Sequence, residues 1–141
     1  MRRLEEWSIH DQAVDAVAKQ RMNFPSKDEP RRQTYTNPDQ KHVMGIGQGN
    51  DLVYPDIVVV DLDKKEAIIL GEVETESTVD DQSAEQWSDY SRRVNGSFYL
   101  YVPEGYEADA RKILESNGIK YLGIRTYAFD RSGNVVFNVV K

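Results

Sequence analysis

The chain changes hydrophobic period several times, and each change marks an element. Leu4, Trp7, Val14, Val17 and Ala18 recur at helical spacing and predict a first helix over about residues 4–21. Residues 23–41 hold three prolines among polar groups and read as a long loop, of the kind that is often functional or mobile. Residues 42–46 suit a short strand ahead of Gly47-Gln48-Gly49-Asn50. Two strong strands follow. Residues 56–62 are β-branched and nearly continuous, as in a buried strand, whereas 66–75 begin continuous and end alternating. That alternation sets Val73 on one face and Glu72 and Glu74 on the other. A helix is expected over 78–94, with Ser77 or Thr78 as N-cap, Asp80 and Asp81 in its first turn and Asn95-Gly96 as its stop. A strand at 97–102, a helix ending at Asn117-Gly118 and strands at 119–127 and 135–140 complete the pattern. Strand, helix, strand at this spacing implies parallel crossovers, so the expectation is one α/β domain over 1–141, a mixed sheet flanked by helices.

Composition narrows this picture. At 141 residues the chain can bury its own core, and 39% hydrophobic with 30% charged residues is ordinary for a globular domain. Cysteine is absent, which removes disulfides, thiolate metal sites and a cysteine nucleophile. No apolar run suggests a membrane span or a signal peptide, so the expected setting is cytoplasmic, away from membranes. Charge is uneven. Residues 1–43 carry a net +1, residues 44–91 a net −10 and residues 92–141 a net +3. An acidic chain binds nucleic acid poorly on its own, because non-specific affinity comes from Lys and Arg displacing counterions.

The acidic middle holds the candidate chemistry. Asp56 opens one strong strand, and Gly71-Glu72-Val73-Glu74 closes the other. A three-residue hairpin loop at Asp63, Lys64 and Lys65 pairs Leu62 with Glu66 and sets Asp56 opposite Glu72; a two-residue loop turns Glu72 to the other face. Carboxylates across a strand pair repel each other, and a site that keeps them commonly holds a metal ion. The bland alternative is that Glu-x-Glu is a solvated strand face and Asp56 a turn residue.

Asp56 followed by Glu72-Val73-Glu74 on the next strand, within an αβββαβ order, resembles the PD-(D/E)xK nucleases, the superfamily with the restriction-endonuclease-like fold. Pro55-Asp56 matches the first half of the motif and Glu72-Val73-Glu74 the second, with Glu74 where the family usually has Lys. Gln86-Trp87-Ser88-Asp89-Tyr90 is similar to the Q-x-x-x-Y motif of the RecB-type exonuclease branch. The resemblance spans residues 54–102 and the first helix, leaving a helix and strands as C-terminal additions. It implies Mg²⁺ or Mn²⁺ held by Asp56, Glu72 and the Val73 carbonyl, with Glu74 as second ligand or proton acceptor. Gln86 and Tyr90 then position substrate. The implied activity is metal-dependent cleavage of DNA rather than RNA, aided by a homodimer or a partner protein. Glu74 in place of Lys keeps a second reading open, a non-catalytic binding or assembly module on the same scaffold.

Other polar residues carry less. Glu6 and Asp11 are further candidate acids from the first helix, and Asp80 or Asp81 further ligands. His10 reads as a surface or boundary residue. His42 has no ligand at metal-binding spacing. Gly45-x-Gly47-x-Gly49 reads as a turn rather than a phosphate loop.

Overall fold

The computed structural model describes Arg2, residues 4–39 and residues 41–140. The elements run α1 (Leu4–Gln20), β1 (Arg32–Thr36), β2 (Ile57–Asp61), β3 (Glu66–Val73), α2 (Ala84–Arg93), β4 (Phe98–Pro103), α3 (Glu107–Ser116), β5 (Gly123–Phe129) and β6 (Val135–Val140). This is the expected αβββαβ order with a helix and two strands appended. The six strands form one mixed sheet in sequence order. β1, β2 and β3 are antiparallel neighbours, β3, β4 and β5 run parallel across α2 and α3, and β6 returns antiparallel. No described helix is long and apolar enough to cross a membrane.

Alternation in the buried strands divides the core by face. Val58, Leu70, Phe98, Leu100 and Val102 pack with Trp87 and Tyr90 of α2 and with Ala110, Ile113 and Leu114 of α3. Ile57, Val59, Val73 and Tyr101 pack with Ala13, Val14 and Val17 of α1. The sheet is thus sandwiched between α1 on one side and α2 with α3 on the other.

Several local expectations are corrected. The buried face of α1 is Glu6, His10, Ala13, Val14 and Val17, while Trp7 stands 39% exposed. The side chain of Leu4 lies outside the described residues. Residues 23–41 are not all loop, because Arg32-Gln33-Thr34-Tyr35-Thr36 pairs with β2 from Arg32↔Asp61 to Thr36↔Ile57. Its polar composition suits an edge strand, and Pro30 and Pro38 bound it. Residues 42–46 form no strand of their own; Ile46 makes only an isolated bridge to Val53. Gly47 between them adopts φ +91, and a side chain there would collide with the Asp51 carbonyl, as a turn requires.

The helix expected over 78–94 begins later, at Ala84. Short 3₁₀ turns at Glu76–Thr78 and Asp81–Ser83 replace its first part. Thr78 Oγ1 accepts from the Thr75 amide at 2.9 Å and donates to the Thr75 carbonyl at 3.2 Å, closing the first turn locally. Asp80 is extended (φ −149, ψ 174), which breaks helical continuity.

The β2–β3 hairpin reaches the register placing Asp56 opposite Glu72 by another route. Asp61 pairs with Glu66, so the connection is the four residues 62–65 rather than three. A β-bulge then shifts the pairing from Val60↔Ala67 to Val59↔Ile69. The extra residue, Ile68, restores the parity that the longer turn would have lost, and Ile57 meets Gly71.

Candidate metal centre

Asp56 and Glu72 lie at the end of the β2/β3 ladder, and each carboxylate is fixed by a backbone amide of the opposite strand segment. The Asp56 amide donates to Glu72 Oε1 at 2.8 Å, and the Val73 amide donates to Asp56 Oδ2 at 2.8 Å. Both carboxylates are buried. Each keeps one oxygen outside these two bonds, so a rigid pair of acceptors faces the pocket.

Glu74 completes the group from the same side of β3. Trp87 Nε1 of α2 donates to Glu74 Oε2 at 2.6 Å, and the Tyr127 hydroxyl donates to the Glu74 carbonyl at 2.7 Å. The three acids line a polar pocket of about 460 Å³ together with Arg2, Asn37, Asp39, His42, Tyr54, Gln86 and Tyr90. Gln86 is exposed on its wall and Tyr90 is buried in it; among the described residues neither hydrogen-bonds a carboxylate of the site. Asp80 and Asp81 do not line it. Glu6 is turned elsewhere, accepting from the Ser77 amide at 3.2 Å.

Burying three carboxylates together has an electrostatic cost. Burial, then the charges of Asp56 and Glu74, push the Glu72 pKa well above its usual range. Burial and Asp56 also raise Glu74, against the opposing pull of Arg2, Trp87 and Thr78. Burial and the charges of Glu72 and Asp56 raise the Tyr90 phenol, which stays neutral. Burial comes first in both shifts and carboxylate crowding second, so each further negative charge in this pocket costs free energy.

Three residues that the sequence pattern did not single out as site members belong here. His10 is fully buried, a correction to its expected surface position. Its Nδ1 lies 2.9 Å from Asp11 Oδ1 and 3.4 Å from Asp39 Oδ2. Its Nε2 lies 3.1 Å from Asp56 Oδ2 but without hydrogen-bond alignment, and this buried nitrogen has no hydrogen-bonding partner. Burial lowers the imidazole pKa, and the Asp56 carboxylate more than offsets it, so the net shift is upward. His10, Asp11 and Asp39 also offer three ligand atoms within 4.8 Å of one another. The signal was present: stepping back from Val17 and Val14 at helical spacing reaches His10 and then Glu6.

Asn37 is the second. Its side chain donates to the carbonyls of Met44 and Pro55 at 2.7 Å and accepts from the amides of Val43 and Met44 at 2.7 Å, while its own amide donates to the Asp56 carbonyl at 2.9 Å. One buried amide therefore fixes the strand entry and the loop that walls the pocket. His42 stacks on Tyr54 at this rim, ring centroids 4.5 Å apart. Arg2 is the third. Its guanidinium donates to the Val73 carbonyl at 2.8 Å and lies 3.6 Å from Glu74 Oε1. The carbonyl expected to ligate a metal is thus engaged by an arginine.

Compared with family models, curated proteins and solved structures, the chain matches none of them.

Proposed function

We propose that this protein is a divalent-metal-dependent phosphodiesterase acting on nucleic acid, DNA in preference to RNA. The observation that carries the reading is the fixed Asp56–Glu72 pair, buried with Glu74 in one pocket where Arg2 is the one described Lys or Arg side chain. Asp56 and Glu72 would hold the ion, with the Val73 carbonyl as third oxygen once freed. His10 Nε2, 3.1 Å from Asp56 Oδ2, faces the same carboxylate and balances part of its charge. When bound, such an ion lowers the pKa of a water and stabilises charge developing on a phosphoryl oxygen.

The chain's own residues supply the rest. Burial raises the Glu74 pKa, which makes it a better proton acceptor, and the Trp87 indole fixes its orientation. Gln86, which lines the exposed wall of the pocket, would contact substrate. The test is calorimetric titration of Mn²⁺ into the wild type and Asp56→Ala/Glu72→Ala, followed by incubation with single- and double-stranded DNA. Uptake and cleavage lost together in the double variant support the reading; equal Mn²⁺ uptake by both proteins overturns it.

A specific observation favours a second reading, the non-catalytic module. Arg2 is the one Lys or Arg side chain lining the pocket among the described residues, and it is engaged. With Glu74 in place of Lys, the described residues offer this pocket no unengaged Lys or Arg for water or phosphate. Metal uptake without cleavage of any DNA form would select this reading. Cleavage that needs a homodimer or a basic partner protein would retain the first.

A further inference from the structure

The Arg2 guanidinium engages the Val73 carbonyl, the backbone oxygen that the metal reading needs, and Glu74 and Asp39 beside it. Nη2 donates to the Val73 carbonyl at 2.8 Å and lies 3.6 Å from Glu74 Oε1. Nη1 donates to both carboxylate oxygens of Asp39 at 3.3 Å. The side chain is only 16% exposed, so these contacts are made largely out of water.

We propose that Arg2 is a tethered counter-ion that closes the carboxylate pocket and must be displaced for a divalent ion to enter. This rests on the metal-site reading of Asp56 and Glu72 and adds the regulation of that site. Two features carry it. The Val73 carbonyl cannot serve the guanidinium and a metal ion at full strength together, because two cations sharing one oxygen lie close enough to repel strongly. A guanidinium does not relieve this by losing a proton, since it stays charged at any physiological pH, so it must move. The dock is also incomplete. Arg2 Nε is buried with no acceptor, a cost that favours release when a better-matched cation arrives.

Docking and metal binding are then mutually exclusive, and the observed metal affinity is the intrinsic one reduced by the fraction of molecules in which Arg2 is undocked. A dock filled about nine-tenths of the time weakens apparent affinity about tenfold.

The test is Mn²⁺ calorimetry on the wild type, Arg2→Ala, Arg2→Gln and Asp56→Ala/Glu72→Ala, each checked for folding by circular dichroism. The two Arg2 variants should bind about tenfold more tightly than the wild type. Equal or weaker binding in the folded Arg2 variants, with binding lost in the double variant, overturns the counter-ion role and leaves the metal site standing. Binding unchanged in the double variant, or none in any protein, overturns both. Should neither Arg2 variant fold, the wild type decides alone. In a diamagnetic Mg²⁺ titration the Arg2 Nε–H resonance should lose its protection from solvent exchange, and an unchanged resonance at saturation overturns the proposal.

Discussion

Glu72 is held in place by the Asp56 amide, and its anion is disfavoured by burial first and then by the two carboxylates beside it. Its folded-state pKa is raised above the unfolded value. Between those two values the native state binds more protons than the unfolded chain, so stability falls as pH rises through that window. Glu72→Gln keeps an oxygen able to accept from Asp56 and removes the buried charge. In EDTA the variant should melt higher than the wild type at pH 8, with the advantage shrinking toward pH 4.5. Each unit by which the pKa is raised corresponds to about 1.4 kcal/mol, and about 3 °C in Tm per kcal/mol is expected for a domain of this size. A lower Tm for Glu72→Gln at pH 8 would refute the unbalanced charge. With Mn²⁺ present the order should reverse, because the wild type gains the ion and the variant loses a ligand.

At the scale of elements, the β2–β3 hairpin decides whether the site exists at all. Its turn is tied locally: Asp61 Oδ1 accepts from the amides of Asp63 at 2.9 Å and Lys64 at 3.0 Å, and the Lys65 amide donates to the Asp61 carbonyl at 2.7 Å. Lys65 is left at φ +57, a region costly for side chains. Lys65→Gly should be neutral or stabilising, while β-branched Lys65→Val should cost about 1–2 kcal/mol. Urea unfolding of the three proteins checks this, and equal midpoints for Val and Gly would show that the turn geometry is wrong. The Ile68 bulge acts on the same ladder. One residue more or fewer would carry Glu72 to the α1 side, where Val73 now packs.

For the whole molecule, the charge pattern sets what the site can bind. The net −10 of residues 44–91 spans β2, β3, α2 and the loops between them, and this stretch holds Asp56, Glu72 and Glu74 of the pocket, where a phosphate would approach. Long-range attraction to nucleic acid is therefore weak until a divalent ion neutralises the centre. A fluorescent oligonucleotide at about 0.15 M salt should show no binding in EDTA and measurable binding with Ca²⁺ or Mn²⁺, read by anisotropy. Equal binding with and without the ion would mean that contact is made by a surface remote from the carboxylates, and would count against the hydrolase reading.

The order of helices and strands was legible in the sequence because periods of two and 3.6 are written by near neighbours: β6 lies at 135–140 as expected, and Val73 and Glu74 diverge to opposite faces as their alternation requires. The grouping of Asp56 with Glu72 was legible only as a condition on register. Tertiary structure supplied that register through a longer turn and a compensating bulge, neither of which has a signature strong enough to read from a hairpin of aliphatic residues. It also decided that the polar segment Arg32–Thr36 is a strand, since an edge strand is defined by the partner it pairs with rather than by its own hydrophobicity. His10, Asn37 and Arg2 reach Asp56, the Pro55 carbonyl and Val73 across 46, 18 and 71 residues of chain respectively. Contacts at such separations depend on how α1 and β1 pack against the sheet, which no local pattern encodes.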